Sequence, residues 1–173
     1  MDHVTLLDEA GTAIGSVPKS EVHTHDTPLH LAFSCHLVDE QGRILLTRRA
    51  LAKQTWPGVW TNSFCGHPRP GEDLVEAVHR RAMQELGATV DDVRPALPDY
   101  RYRAVDASGI VENEVCPVYV ARLTSPLSPS DDEVSEWTWV DASDAASAVT
   151  AAPFAFSPWL VEQLPRLRAI GAV

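Results

Sequence analysis

The sequence predicts an α+β domain, because strands arranged in hairpins are mixed with only a few helices. The chain has 173 residues, and this length suits a single domain spanning residues 1–173. Apolar residues make up 45% of the chain and charged residues 22%, as in ordinary globular proteins. These observations predict a chain that buries a core of its own.

The predicted strands are short runs of apolar and β-branched residues bounded by turns. They cover residues 4–7, 13–17, 29–38, 43–47, 58–65, 100–104 and 110–122. The first two flank the turn at 8–11 and form an N-terminal hairpin, and the last two are joined by the turn at 106–109.

The clearest helix covers residues 72–86, where Val75, Val78, Ala82 and Leu86 repeat at helical spacing. Gly87 is the expected C-terminal stop.

Two shorter helices are expected nearer the C-terminus. Asp141, with Asp144 three residues later, suits the N-cap of an alanine-rich helix. Ser157 and Pro158 suit the start of a last helix, which Pro165 is expected to kink or divide.

Charge and composition exclude several classes of function. The formal net charge of -10 argues against nucleic acid as a partner. No apolar run approaches the roughly 18 residues of a membrane span. The first residues lack a signal-peptide pattern, so a cytoplasmic location is expected. The three cysteines, Cys35, Cys65 and Cys116, form no CxxC pair, which argues against a disulfide framework or zinc ribbon.

Two glutamates stand out on a predicted strand. Glu112 and Glu114 point to the same face, roughly 6.5–7 Å apart. The pair alone favours a solvent-exposed stripe, and a bound cation would reverse that interpretation.

Histidines supply the partners for such a cation. His23, His30 and His67 with the two glutamates would make a mixed nitrogen and oxygen site, which suits Mn²⁺, Zn²⁺ or Mg²⁺. Each histidine taken singly is more often structural, and no metal-finger or HExxH spacing is present.

Glu85 projects beside the apolar face of the helix at 72–86. It could bind metal or pair with Arg81, four residues earlier, and the two interpretations stand level. Six basic residues could bind phosphate or lie at the surface: Lys19, Arg48, Arg49, Lys53, Arg80 and Arg81.

The segment from Gly66 resembles the Nudix box. The matching positions are Gly66, Glu72, Arg80, Glu85, Gly87 and Ala88. Arg81 and Gln84 replace two acids that help Nudix hydrolases to hold Mg²⁺. Their replacement weakens the case for hydrolysis but not for a diphosphate ligand.

Seven further segments are similar to the type 1 isopentenyl-diphosphate isomerases. They are residues 23–34, 47–51, 56–63, 65–68, 100–104, 109–114 and 156–159. The similarity runs from roughly residue 4 to residue 164, and its ordered segments are far more specific than the Nudix box. It implies a Nudix-like fold: a mixed β-sheet core flanked by helices, with an added N-terminal hairpin.

The resemblance also implies a reaction and its site. Isopentenyl diphosphate and dimethylallyl diphosphate would be interconverted by protonation and deprotonation of the alkene, for isoprenoid biosynthesis. One tightly bound divalent metal, Mn²⁺, Zn²⁺ or Mg²⁺, would be held by His23, His30, His67, Glu112 and Glu114.

The remaining implied roles concern the substrate. Cys65 and Glu114 would be the acid–base pair, with Tyr102 near the alkene and Trp159 covering it. Glu85 would help to bind a Mg²⁺ that arrives with the diphosphate. The basic positions around the diphosphate would be Lys19, Arg49, Lys53 and Arg81.

Two alternatives are a Nudix pyrophosphohydrolase and a non-catalytic metal or nucleotide sensor. A hydrolase is expected to keep acids at positions 81 and 84, and a sensor would not need Cys65 together with Glu114. The expected partner is a prenyl diphosphate, with no nucleic acid or membrane, and the expected state is a monomer or weak homodimer.

Overall fold

The computed structural model describes residues 2–173. In that range the strands are β1 (His3–Leu7), β2 (Ala13–Pro18), β3 (His30–Leu31), β4 (Phe33–Leu37), β5 (Arg43–Arg49), β6 (Trp60–Thr61), β7 (Phe64–Gly66), β8 (Val90–Leu97), β9 (Arg101–Val105), β10 (Val111–Val115), β11 (Val118–Leu123) and β12 (Val134–Asp141). The helices are α1 (Lys19–Val22), α2 (Leu74–Leu86), α3 (Ala142–Ala151) and α4 (Pro158–Ala169), with a 3-10 turn at Pro153–Ala155.

The strands form three sheets. Their orders are β2-β1-β3-β10-β9, β7-β4-β11-β8 and β12-β5-β6. The pairs β3–β10 and β4–β11 are parallel, and the other strand pairs within these sheets are antiparallel. The predicted α+β class, mixed sheet and N-terminal hairpin are therefore confirmed.

Two predicted strands are each divided at the boundary between the first two sheets. The strand predicted at 29–38 breaks at Ala32, and the strand predicted at 110–122 breaks at Cys116 and Pro117. Pro117 has no N–H to donate, which interrupts a ladder. At the break, Ala32 N donates to Val115 O at 2.9 Å and Ser34 N donates to Pro117 O at 3.1 Å. The two neighbouring segments of the chain thus pass together from the first sheet to the second.

Other strand predictions need correction. Residues 58–65 form parts of two short strands, β6 and β7, and β5 continues to Arg49. Strands β8 and β12 and helix α1 were not predicted. Both strands lie at sheet edges and carry polar residues, such as Asp91 in β8 and Glu136 in β12, so their apolar alternation is weak.

Helix α2 begins at Leu74, two residues later than predicted. The Asp73 side chain caps it, accepting from Val75 N at 2.8 Å and Glu76 N at 3.3 Å. Gly87 ends the helix with a φ of 57°, as expected for a left-handed C-cap.

The two C-terminal helices have the predicted caps, since Asp141 accepts from Ser143 N and Ser157 accepts from Leu160 N. Pro165 was predicted to kink or divide the last helix, and the division is wrong, because α4 runs unbroken through Pro165. Leu164 and Leu167 flank Pro165 and are fully buried, and this packing holds the helix on the protein.

The helices cover the sheets on two sides. Helix α2 packs Val78, Ala82 and Leu86 against Phe33 and Phe64 of the second sheet. Helices α3 and α4 pack against the third sheet in a hydrophobic cluster that includes Ile44, Leu46, Ala145, Val149, Leu160 and Leu164. Across residues 2–173, no helix combines the length and apolar character that a membrane crossing requires.

Candidate active site

A pocket of about 430 Å³ opens beside the break between the first two sheets. Four of the residues that line it are the predicted acid–base and alkene-contact residues: Cys65, Tyr102, Glu114 and Trp159. Four more are the predicted basic residues: Lys19, Arg49, Lys53 and Arg81. The fold thus brings together residues that are up to 140 positions apart in the sequence, from Lys19 to Trp159.

Strand register places three of the site residues side by side. Glu114 on β10 is paired with His30 on β3 and with Tyr102 on β9. Directly opposite residues share one face of a sheet, so their side chains are neighbours. Glu112 and Glu114 are only 6% and 5% exposed, so the interpretation as a solvent-exposed stripe is wrong.

Three histidines surround Glu114. Ligand atoms of His23, His30, His67 and Glu114 all lie within 4.8 Å of one another. Glu114 Oε1 is 3.2 Å from His67 Nε2 and 3.4 Å from His30 Nε2. Glu112 lies beside this group, with Oε2 at 2.9 Å from His23 Nε2, and its Oε1 accepts from Thr55 Oγ1 at 2.7 Å.

The orientation of the imidazoles suits a metal ion. His30 Nδ1 lies 2.9 Å from Pro28 O and donates to it, which leaves Nε2 with a lone pair. His23 Nε2, His30 Nε2 and His67 Nε2 face carboxylate oxygens of Glu112 or Glu114 at 2.9 Å, 3.4 Å and 3.2 Å. Buried imidazole nitrogens that converge on carboxylates fit a divalent cation, and the mixed donor set is one that such cations use.

Electrostatics agree with this arrangement. Burial alone would raise the pKa of Glu114, but hydrogen bonds from His30 and His67 lower it well below its usual value. Burial lowers the pKa of His67 to about 3. For His30, burial lowers the pKa but contact with Glu114 outweighs it, and the net direction is upward. Glu114 is therefore ionised, and His67 is neutral, at physiological pH.

Cys65 occupies the pocket wall next to this cluster. It lies on β7, paired with Ser34 on β4, and its Sγ is 3.4 Å from Ser34 Oγ and 3.3 Å from Asn62 Oδ1. Burial raises the pKa of Cys65 to about 12, so the resting residue is a protonated thiol.

Aromatic rings form another wall. The Trp159 ring lies 5.7 Å from the Tyr102 ring and 5.5 Å from the Trp56 ring, measured between centroids. Its Nε1 donates to Asn62 Oδ1 at 2.9 Å, which fixes the plane of the indole. The Arg49 guanidinium lies 5.3 Å from the Trp159 centroid, within cation–π distance.

Three of the basic residues, Arg49, Lys53 and Arg81, form ion pairs or hydrogen bonds within the protein. Arg81 pairs with Glu85 and with Glu133, and Lys53 also pairs with Glu133. Arg49 donates to the Thr55 carbonyl at 2.8 Å, and its Nε donates to the Trp56 carbonyl at 3.1 Å.

Glu85 is buried, pairs with Arg81 and lines a small cavity together with Glu133 and Cys65. The ion pair, one of the two interpretations of Glu85, is therefore present in the structure.

Comparison with known proteins decides the family. A NUDIX domain model matches residues 28–160. An isopentenyl-diphosphate Delta-isomerase from Clavibacter sepedonicus is 62% identical over 164 residues, 95% of this chain and 86% of that protein. One from Leifsonia xyli subsp. xyli is 61% identical over 170 residues, 97% and 92% of the two chains. The chain belongs to the isopentenyl-diphosphate Delta-isomerase family.

Solved structures agree on the fold of this isopentenyl-diphosphate Delta-isomerase family member. A crystal structure of a Deinococcus radiodurans protein superimposes with a TM-score of 0.75, at 19% identity, covering 95% of this chain and 98% of that one. At that identity the likeness concerns the fold alone.

The Nudix-box positions of this family member have mainly structural contacts. Arg80 forms a two-point ion pair with Glu72, with Nε–Oε1 and Nη2–Oε2 distances of 2.7 Å. A Cβ at Gly66 would lie 2.6 Å from Arg81 Cγ, so only glycine lets α2 approach β7 this closely. Arg48 bonds Gly58 O and Glu136, outside the pocket.

Sequence reasoning missed several residues of the site. Glu133 follows two aspartates in what looks like an exposed turn, and no local pattern indicates its pairing with Lys53 and Arg81. Thr55, Ser34 and Asn62 are small polar residues whose role depends on contacts made across the fold. Ser34 and Asn62 lie within segments that are similar to the isomerases and Thr55 lies next to one, but no pattern in those segments assigns them a role.

Proposed function

We propose that the chain interconverts isopentenyl diphosphate and dimethylallyl diphosphate by adding one proton to the alkene and removing another. The observation that carries this proposal is one pocket lined by Cys65, by the His/Glu cluster that contains Glu114, and by a group of basic residues. Relatives more than 60% identical have the name of this activity.

The acid–base pair is the first part of the proposal. Protonation of the terminal alkene carbon gives a tertiary carbocation, and loss of a proton from the neighbouring CH₂ gives the more substituted alkene. The reaction therefore needs one donor and one acceptor. With its high pKa Cys65 starts protonated, and with its low pKa Glu114 starts ionised, which supports these two residues as the pair.

The aromatic wall is the second part. We assign Trp159 to covering the reacting carbons and Tyr102 to contacting them, since both rings line the pocket. An indole face stabilises a cation by about 2 kcal/mol when water is excluded. Exclusion of water also prevents capture of the carbocation as an alcohol.

The diphosphate is assigned to the basic end. Lys19, Arg49, Lys53 and Arg81 bring four positive charges against the two carboxylates of Glu85 and Glu133. The excess of positive charge supports binding of an anion. We assign Glu85 to helping hold a Mg²⁺ ion that accompanies the diphosphate.

The histidine cluster is assigned to a tightly bound divalent ion, Mn²⁺, Zn²⁺ or Mg²⁺. Its ligands would be His23, His30, His67, Glu112 and Glu114. When bound, such an ion alters the acidity of neighbouring groups. Metal analysis of the purified protein should find about one ion per chain for this five-ligand site.

The rival activity is diphosphate hydrolysis. Arg81 and Gln84 stand where Nudix hydrolases have acids, and Arg81 adds positive charge where metal would need negative charge. Both this feature and the names of the relatives favour the isomerase over the hydrolase. A sensor without catalysis would have no use for the Cys65 and Glu114 pair.

We also propose a cytoplasmic protein that is a monomer or weak homodimer and binds neither nucleic acid nor membrane. Cys35, Cys65 and Cys116 are free thiols, which suits a reducing compartment. The exposed large apolar residues, which include Phe154 and Ile170, belong to different elements. Their scattered positions support a protein without a large apolar interface.

Replacement of Cys65 tests this function directly. We expect Cys65→Ala to abolish conversion of isopentenyl diphosphate, measured by product formation, while the melting temperature changes little. Cys35→Ala, at a fully buried cysteine outside the pocket, is the matched control and should keep most activity. Near-normal isomerisation by Cys65→Ala would overturn the assigned role, and phosphate release by the wild type would favour the hydrolase.

A further inference from the structure

A chain of buried polar groups runs from the protein core to Cys65. Its members are His36, Gln163 and Ser34, each with no exposed surface, and none of them lines the pocket among the described residues. His36 Nε2 lies 2.9 Å from Gln163 Oε1, Gln163 Nε2 lies 3.0 Å from Ser34 Oγ, and Ser34 Oγ lies 3.4 Å from Cys65 Sγ.

The His36 imidazole determines which group donates in each of the hydrogen bonds between His36, Gln163 and Ser34. Burial lowers the pKa of His36 to about 4, so the ring is neutral at pH 7 and has one N–H. His36 Nδ1 is buried without a partner, and an unpaired buried donor is costly. The hydrogen therefore lies on Nε2 and is donated to Gln163 Oε1.

The orientation of the Gln163 amide in turn determines which way the Ser34 hydroxyl donates. With Oε1 accepting from His36, the Gln163 amide must present its NH₂ group to Ser34. Ser34 Oγ accepts that hydrogen, so its own hydrogen points to a sulfur. Cys65 Sγ and Cys116 Sγ, each 3.4 Å away, are the two sulfurs within reach.

On its other side Cys65 faces an acceptor. Asn62 Nδ2 donates to Cys35 O at 3.0 Å and to Phe64 O at 2.8 Å, which uses both amide hydrogens. Asn62 Oδ1 therefore faces the opposite way and accepts from the Cys65 thiol at 3.3 Å. Cys65 thus lies between an acceptor, Asn62 Oδ1, and the Ser34 hydroxyl, whose hydrogen can point to Cys65 or to Cys116.

We propose that Ser34 is a positioning residue that donates a hydrogen bond to the Cys65 thiolate formed during the reaction, with His36 and Gln163 holding its hydroxyl in the donating direction. Asn62 holds the thiol hydrogen in the resting state. The inference rests on the proposed function, because it assumes that Cys65 cycles between thiol and thiolate.

The chemistry is the same whichever residue donates first. When the S–H bond of Cys65 breaks, the sulfur keeps the electron pair, and the alkene π pair forms the new C–H bond. The thiolate cannot donate to Asn62, and it gains the Ser34 hydrogen instead. In the reverse direction a substrate C–H bond breaks, its pair forms the double bond, and the proton returns to sulfur. No oxidation or reduction is involved.

Steady-state kinetics of Ser34→Ala test this assignment. We expect kcat to fall about 10- to 100-fold, the effect of one hydrogen bond to a charged group, while KM for isopentenyl diphosphate changes less than about twofold. Gln163→Met removes the group that orients Ser34 and should lower kcat less. In the double variant, Gln163→Met should lower kcat no further than Ser34→Ala alone, because Ser34→Ala has already removed the hydrogen bond from Ser34 to Cys65 that Gln163 orients.

Two further variants separate this role from general packing and from the proposed function. Cys35 is the next residue on β4, is as buried as Ser34 and packs in the core cluster with Phe33 and Phe64, so Cys35→Ala should keep kcat within about twofold. A Ser34→Ala kcat near that of wild type, or an equal fall in Cys35→Ala, would overturn the inference. If Cys65→Ala itself stays active, the proposed function fails as well. If Cys65→Ala is inactive and Ser34→Ala has normal activity, only the role of Ser34 is rejected and the proposed function stands.

Discussion

The two ends of the pocket are built on opposite principles. At the histidine end, the buried imidazoles of His23, His30 and His67 surround the carboxylate of Glu114. At the basic end, Arg81 and Lys53 already pair with carboxylates of the same chain. The histidine end gathers neutral and acidic metal-ligating groups, whereas the basic end holds its positive charges in internal ion pairs.

This difference indicates how each end meets its ligand. The histidine end is preorganised, because His30 is fixed by Pro28 and its neighbours are held by strand pairing. At the basic end, Arg81 and Lys53 pair with Glu85 and Glu133, and under the proposed assignment these ion pairs compete with a diphosphate. Loss of a group at the first end should therefore abolish turnover, and loss at the second should weaken substrate binding.

The largest effect is expected at Glu114. Glu114→Gln removes the proton acceptor and a proposed metal ligand together, so kcat should fall by about 10³-fold or more. Metal content per chain, measured on the same sample, should fall as well. Glu136→Gln, at an exposed glutamate paired with Arg48, is the control. An active, metal-loaded Glu114→Gln would break the account of the histidine end.

A smaller effect is expected at Arg81. Arg81→Ala removes a cation from the basic end, and KM should rise about 10-fold or more for loss of one charge-assisted contact, with a lesser change in kcat. Arg43→Ala is the control, because Arg43 pairs with Asp39 at 2.7 Å and does not line the pocket. Equal KM changes in the two variants would contradict the assignment of Arg81.

The pH dependence of metal affinity sharpens the contrast further. In the metal-free site, burial lowers the pKa of His30 but contact with Glu114 raises it above its ordinary 6.5. A metal ion must displace that proton. Affinity should therefore fall about tenfold per pH unit below the His30 pKa and level off above it. His67, with a pKa of about 3, adds nothing near neutrality. Metal competition titrations should show this slope, and a flat profile from pH 5.5 to 8 would contradict it.

The last prediction concerns the stability of the fold and rests on the burial of His36. Its pKa is about 4 in the folded chain against an ordinary 6.5. The unfolded chain takes up a proton in that window and the folded chain does not. The free energy of unfolding should therefore fall by about 3 kcal/mol as pH drops from 6.5 to 4. Denaturant unfolding should show a weaker pH slope in His36→Gln, and identical slopes would rule this out.

The sequence predicted the histidine end better than the basic end. Glu112 and Glu114 share a face by strand periodicity, and the resemblance supplied the histidines, so their neighbourhood could be predicted. The pairing of Arg81 with Glu133 joins α2 to the segment before β12, and no local pattern indicates such a contact. The break at Cys116 and Pro117 was also missed, because a continuous apolar run conceals the passage from one sheet to the next.

The helices show the same limit on a smaller scale. Gly87 and Ser157 were correctly assigned because capping depends on a few adjacent residues. Strand β8, with Asp91 and Pro95, has little strand character in its sequence and pairs with β11 as an edge strand. Its position depends on the rest of the sheet, which local periodicity does not describe.

Incubation of the protein with isopentenyl diphosphate in D₂O, followed by NMR of the product, tests the central claim most directly. Proton transfer through Cys65 and Glu114 predicts dimethylallyl diphosphate with deuterium in its new methyl group and with the diphosphate intact. Release of phosphate faster than isomerisation, with no deuterium in the recovered organic product, would contradict the account.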